Sequence, residues 1–158
     1  MSRLQRRRGD ATRPVGRGNK IICHVCNDSG IWGRGFVMAI SARWPEPEAD
    51  YREWHRSGSS GGFGLGALRL VQVEPDIWVA NIIAQHGTRP KEGVPPIRYE
   101  HLETCLLAVA NQAGEIRASI HMPRIGSGLA GGDPGKIQRI VEEALRSADV
   151  RGTIYDWD

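Results

Sequence analysis

Apolar runs rich in β-branched residues alternate along this chain with stretches of helical periodicity, and that alternation constrains the fold more than any other feature. "KIICHVCN" (20–27), "ALRLVQVE" (67–74), "DIWVANIIAQ" (76–85), "RASIHMP" (117–123) and "GTIYDW" (152–157) read as strands. Leu4 to Arg8 adds a candidate edge strand. Between them, "GRGFVMAISARW" starts after a glycine bend and stops at Pro45, and "EPEADYREWHRS" opens with Pro47 and two glutamates, as a helix start prefers. "IRYEHLETCLLAVANQAG" puts Leu102, Cys105, Leu106 and Val109 on one face, with Gly114 as its end. "DPGKIQRIVEEALRSA" repeats the pattern through Ile137, Ile140, Val141 and Leu145, with Asp133 as N-cap and Pro134 in the first turn. Strands alternating with helices predict an α/β layered fold around a mostly parallel sheet.

Length sets the rest of the frame. The chain has 158 residues, enough for one domain with a real core, and its 40% hydrophobic and 25% charged content is that of a globular protein. No apolar run approaches the roughly 20 residues of a membrane span, and the basic start lacks the apolar core of a signal peptide. A cytoplasmic protein with no membrane partner is expected. Cys23 and Cys26 form a C-x-x-C, but no second cysteine or histidine pair completes a metal shell, so no metal is expected. Three residues apart on a strand, the two thiols should point to opposite faces and stay inert. The net charge of +3 conceals an uneven split: residues 1–20 carry seven basic side chains against Asp10 alone, so that segment is +6 and the remainder −3. Residues 1–8 read as a basic arm, by default a solvated terminus and alternatively a contact for nucleic acid, and residues 9–158 as one domain.

Two glycine-rich stretches follow strands. The first is "NDSGIWGRGF" (27–36); the second, "HMPRIGSGLAGGDPGKI" (121–137), holds five glycines. In an open α/β sheet, ligands gather beyond the strands' carboxyl ends, where loops lead into helix N-termini. Glycine lets backbone amides approach an anion, and the helix behind adds unsatisfied donors. Two such loops on one crevice would hold a diphosphate. Neither is a standard fingerprint: Lys136 is followed by Ile137 rather than Ser or Thr, and "GIWGRG" has the wrong spacing for a dinucleotide loop. "RSGSSGGFGLG" (56–66) is the main irregular loop and reads as a spacer, with a loop that folds over a ligand as the alternative.

"RGDAT" (8–12), "HVCNDSGIWGRGFVMAIS" (24–41), "HMPRIGSGLAGG" (121–132) and "TIYDW" (153–157) resemble, in order, the motifs of a macro domain. The likeness is greatest to the branch containing ADP-ribose-1″-phosphate processing proteins and terminal ADP-ribose glycohydrolases. The resemblance implies a three-layer α/β/α sandwich with a mixed, mostly parallel central sheet and ADP-ribose across its carboxyl edge. It assigns Asp10 and Ala11 to the adenine, Asn27 to the distal ribose, and Gly33, Arg34, Gly35 and Phe36 to the first phosphate loop. Ile125, Gly126, Ser127, Gly128 and Leu129 match the second, and Tyr155 matches an aromatic that stacks on adenine. No cofactor is implied.

The branch's catalytic lysine and aspartate correspond here to Gln85 and Ala130, which can neither form a Schiff base nor move a proton. Asp28 and His86 are the remaining candidates for a water-based hydrolysis. His24, His121 and Asp133 read as structural, Trp32 as a packing lid or a wall for the distal ribose, and Trp44, Trp54 and Trp78 as packing residues. The leading expectation is a hydrolase of an ADP-ribose adduct, on protein or nucleic acid, or of ADP-ribose-1″-phosphate. The alternatives are a non-catalytic ADP-ribose reader and a nucleic-acid-associated protein that docks a modified base or strand end.

Overall fold

The computed structural model describes residues 3–126 and 130–156. Six strands form one sheet: β1 (Leu4–Arg8), β2 (Asn19–Asn27), β3 (Leu68–Glu74), β4 (Ile77–Gln85), β5 (Ala118–Met122) and β6 (Gly152–Asp156), in the order β1-β6-β5-β2-β4-β3. Every neighbouring pair is parallel except β3 with β4, so the sheet is mixed and mostly parallel, as expected. The basic N-terminal segment is the sheet's outer strand: β1 pairs with β6 from Leu4↔Gly152 to Arg8↔Asp156.

Four helices cover it: α1 (Phe36–Arg43), α2 (Glu46–Ser57), α3 (Tyr99–Ile116) and α4 (Pro134–Ala148). Alternation along each strand divides the core between the two faces. Ile21, Cys23, Ala80, Ile82 and Ile120 pack with Leu102, Leu106, Val109, Val141 and Leu145 of α3 and α4. Ile22, Cys26, Val79 and Ile83 pack on the other face with Ile40, Trp44, Tyr51 and Trp54 of α1 and α2. The result is the three-layer sandwich. Cys23 and Cys26 do fall on opposite faces, both buried, and desolvation raises both thiols far above the ordinary range.

Three details differ from the sequence reading. α3 runs two residues past Gly114 and ends at Arg117, which adopts a left-handed φ of 55° and returns its N–H to Ala113 and Gly114 carbonyls. Asp133 occupies the N-cap position of α4 by backbone alone; its side chain makes no capping bond. The glycine loop after α2 is anchored rather than free, since Phe63 packs against Tyr51, Trp54 and His55.

Candidate functional site

At the carboxyl edge of the sheet, each of the five mutually parallel strands delivers one piece of a common surface. β1 leads into the Asp10–Arg13 turn, β6 ends at Asp156, β5 leads into Pro123–Gly126, β2 into Asn27–Phe36, and β4 into Gln85–Pro90. A cleft of about 530 Å³ opens there, lined by Asn27, Trp32, Gly33 to Phe36, Gln85, Arg89, Arg124 to Gly126 and Ala130 among others. Both glycine bends therefore border one hollow. Ser127, Gly128 and Leu129 of the second bend lie outside the described residues.

Local chemistry shapes the first bend. β2 and β4 slip register where Cys26 faces Ile83 but Asn27 faces Gln85, which reorients Asn27 at the strand end. The Asn27 amide then folds the chain that follows. Its Oδ1 accepts from the N–H groups of Ser29 (2.9 Å) and Ile31 (3.2 Å), and its Nδ2 donates to Ile31 O (2.8 Å). Tyr51, fully buried in α2, donates its hydroxyl proton to Asn27 O at 2.6 Å and accepts from Gly30 N–H at 3.1 Å. Gly35, with φ of 79°, makes the turn into α1. Tyr51→Phe should cost about 1–3 kcal/mol, because it strands a buried carbonyl and an amide; thermal melts would read this, and an unchanged melting temperature would remove Tyr51 from this role.

The second bend closes on itself. Gly132 N–H donates to Gly126 O at 2.7 Å, and Gly126 adopts φ of 71° with Ile137 directly behind it. Here the missing side chains make room for α4, not only for a ligand.

Trp32 is buried, donates from Nε1 to Ser41 Oγ (2.8 Å), and leans on Tyr51 and His24, so it packs the first bend while forming part of the cleft wall. His24 also lines the cleft but is a core residue. Its Nε2–H donates to Asn81 Oδ1 at 2.5 Å, and burial lowers its pKa to about 4 against the raising effect of that bond. Trp44 and Trp54 are buried with their indole N–H groups on Glu74 and Gly61, and Trp78 packs against the core.

Asp28 and His86 meet each other. His86 Nδ1 lies 2.7 Å from Asp28 Oδ2, and Gly87 N–H donates to Asp28 Oδ1 at 2.8 Å. Partial burial raises the Asp28 pKa, but the Gly87 amide and His86 outweigh it, and the net shift is downward. The Asp28 carboxylate takes Nδ1 as a donor, and in the neutral imidazole that places the lone pair on Nε2, on a side chain 48% exposed. The pair sits beside the cleft rather than in its lining; the neighbours Asn27 and Gln85 form the wall. Gln85 donates to Gly87 O at 3.0 Å, and Ala130 is buried.

The expected adenine contacts are mixed. Asp10 closes its own turn, with Oδ1 accepting from Thr12 N–H (2.8 Å) and Thr12 Oγ1 (2.7 Å), and Ala11 is buried. Neither lines the 530 Å³ cleft. They follow β1, two strands beyond the β5 loop at the cleft's edge, and are joined to it through Asp156, whose carbonyl accepts from Gly9 N–H and whose carboxylate meets Arg124 at 3.2 Å. Tyr155 departs from the stacking role. It is 3% exposed, its hydroxyl accepts from Val15 N–H at 3.0 Å and lies in hydrogen-bond contact with His121 Nδ1 at 2.7 Å. A ring so covered supports the 10–15 turn from below instead of offering a face to a base. His121 completes that strut with Ser119 at 2.7 Å; desolvation, with Lys20 nearby, lowers its pKa to about 4.

The sequence reading did not single out Tyr51, Asn81, Arg89 or Arg124. Tyr51 and Asn81 are ordinary positions in their own elements, and only cross-chain bonds give them a role. The two arginines stand next to Pro90 and Pro123, and those proline-bounded loop starts were the available signal.

No protein-family model matches the sequence. A macrodomain protein from Streptomyces coelicolor is 49% identical, with a TM-score of 0.86 over 97% of this chain and 98% of that one. Chromodomain-helicase-DNA-binding protein 1-like from Danio rerio is 30% identical over 156 residues, 93% of this chain, which spans only 15% of that relative's length. ADP-ribose 1″-phosphate phosphatase from Saccharomyces cerevisiae (strain YJM789) is 25% identical over 178 residues, covering 98% of this chain and 99% of that protein.

Proposed function

The chain belongs to the macrodomain family, and on that premise we propose that it binds ADP-ribose and hydrolyses an adduct at the distal ribose. The observation that carries this reading is the convergence of both glycine bends on one cleft beyond the strands' carboxyl ends. In this reading the Gly33–Phe36 bend, the first turn of α1 and the Ile125–Gly126 bend take the diphosphate. Asp10, beyond the β6 end, takes the adenine amino group, and the distal ribose meets Asn27 and Gln85. The likeness to an ADP-ribose 1″-phosphate phosphatase over nearly all of both chains supports the choice of ligand.

Hydrolysis in this site runs without a lysine. His86 Nε2 is the general base: it takes a proton from a water whose oxygen attacks the reacting centre, and Asp28 holds the imidazole in the right tautomer. The water's hydroxyl goes to the ribose carbon or to the phosphorus. The bond to the leaving group breaks, and the proton follows that group through His86 or solvent. His86→Ala should lower kcat by about 10²–10⁴-fold with the ADP-ribose Kd unchanged, and Asp28→Asn should act through the same step. The assay is turnover of ADP-ribose-1″-phosphate and of serine-, glutamate- and nucleobase-linked ADP-ribose. Unchanged kcat in both variants would overturn the assignment. Gln85 and Ala130, where related hydrolases carry lysine and acid, favour a reader as the second reading; binding of ADP-ribose with no turnover of any adduct by the parent protein would establish it.

A further inference from the structure

We propose that Arg89 determines specificity, selecting ligands that carry a phosphate on the distal ribose in addition to the diphosphate; this rests on the ADP-ribose reading above.

Three guanidinium groups from three separate loops line the cleft: Arg34 between β2 and α1, Arg89 between β4 and α3, and Arg124 between β5 and α4. Among the described lining residues there is no carboxylate. The larger hollow of about 820 Å³ between α3 and α4 differs, because Arg98, Lys136 and Arg139 are there balanced by Glu100, Glu103 and Glu143. Of these two hollows of the described residues, the cleft at the strand ends is the one with a charge bias that selects anions.

The three arginines are not equivalent. Arg124 meets the Asp156 carboxylate at 3.2 Å. Arg34 stands between Gly33 and Gly35, within the bend read as a diphosphate cradle. Arg89 is engaged by none of the described residues, and the Asp28 carboxylate at the start of the same loop is already held by Gly87 and His86. The order of strands places it. From β6 the edge runs through β5 and β2, whose loops are the two glycine bends, and then to β4. Arg89 follows β4, so it stands on the side of the diphosphate loops away from Asp10, where the distal ribose falls.

Its backbone is held there. His86 N–H donates to Pro96 O at 2.8 Å, Lys91 and Val94 exchange bonds at 3.0 and 2.9 Å, and Gln85 bridges Ile97. Arg98 Nη1 ties the returning arm through the carbonyls of Pro95, Pro96 and Ile97. A stapled hairpin thus presents one unpaired guanidinium, the side chain suited to bidentate recognition of a phosphate, at the reacting end of the cleft.

Calorimetric titration of the parent protein and of Arg89→Gln and Arg89→Lys, with ADP-ribose and with the non-hydrolysable C1″-phosphonate of ADP-ribose, tests this. The parent should bind the phosphonate at least tenfold tighter than ADP-ribose. Arg89→Gln should bring the ratio close to one and Arg89→Lys should fall between. A ratio near one in the parent, or a ratio preserved in Arg89→Gln while ADP-ribose still binds, overturns the role of Arg89 alone. Binding of neither compound by the parent overturns the ADP-ribose reading and this inference with it.

Discussion

Gly33→Glu is expected to abolish ADP-ribose binding, by more than a hundredfold in Kd, while leaving the fold intact. Gly33 lies in the cleft wall with an ordinary negative φ, and a Cβ built on it would meet no atom within 4 Å. The folded protein therefore loses nothing when a side chain is added. The ligand would lose a great deal, because a carboxylate would stand where the reading places a diphosphate. Two like charges about 5 Å apart at an effective dielectric near 20 repel by roughly 3 kcal/mol, before any steric exclusion. Calorimetry with ADP-ribose and a thermal melt of the same sample separate the two effects. Normal melting with undiminished binding would show that the first bend does not face the diphosphate. Gly132 makes a poor probe by comparison: a Cβ there would collide with the Gly126 carbonyl and Ile137, so loss of binding would report a collapsed loop.

The second large effect concerns stability in acid. His24 and His121 are 2% exposed, and burial lowers both to a pKa of about 4 from an ordinary 6.5. Their folded pKa values lie below the unfolded ones, so the unfolded chain binds more protons throughout that interval. The stability they contribute is complete above pH 6.5 and is lost as pH falls from there through 4. The two together should cost about 4 kcal/mol between pH 7 and pH 5, by linkage. Asp28 adds to the fall only at lower pH, since its depressed carboxyl protonates below the ordinary 3.8. Denaturant titrations at pH 7 and 5 measure the difference, and His121→Gln should roughly halve it. Equal stability at both pH values would mean that these imidazoles are protonated in the folded protein or open to water.

Much of the fold can be read locally. Runs such as Lys20–Asn27 and Ile77–Gln85 have the composition of buried strands, and α3 and α4 carry their apolar stripes at helical spacing, because secondary structure answers to neighbours within a few positions. The edge strand Leu4–Arg8 stands in the sequence only as a candidate, because LQRRR has one apolar residue and it is the pairing with β6 that makes it a strand. α3 passes Gly114 because packing against the sheet and α4 outweighs the modest cost of a glycine inside a helix. The candidate site was legible to the extent that it is made of sequence-local bends: Gly33–Phe36 and Ile125–Gly126 announce themselves as glycine loops after strands.

Chemistry that depends on partners was not legible. Asp28 and His86 are 58 positions apart, and each looked like an independent candidate until the sheet placed β4 beside β2. The resemblance matches Tyr155 to an aromatic that stacks on adenine, yet the segment that precedes β2 folds over it and makes it a strut with His121 and Val15.

The sequence by itself determined the six strands, the four helices and the two glycine bends, since backbone preference and apolar periodicity act over a few residues. Only the tertiary structure decided which of those bends share a cleft, which histidine is paired with a carboxylate and which are buried neutral, and that three arginines from distant loops border one hollow. The reason is the strand order β1-β6-β5-β2-β4-β3, which does not follow the chain: what stands next to what along the carboxyl edge is set by how the whole sheet buries its two faces.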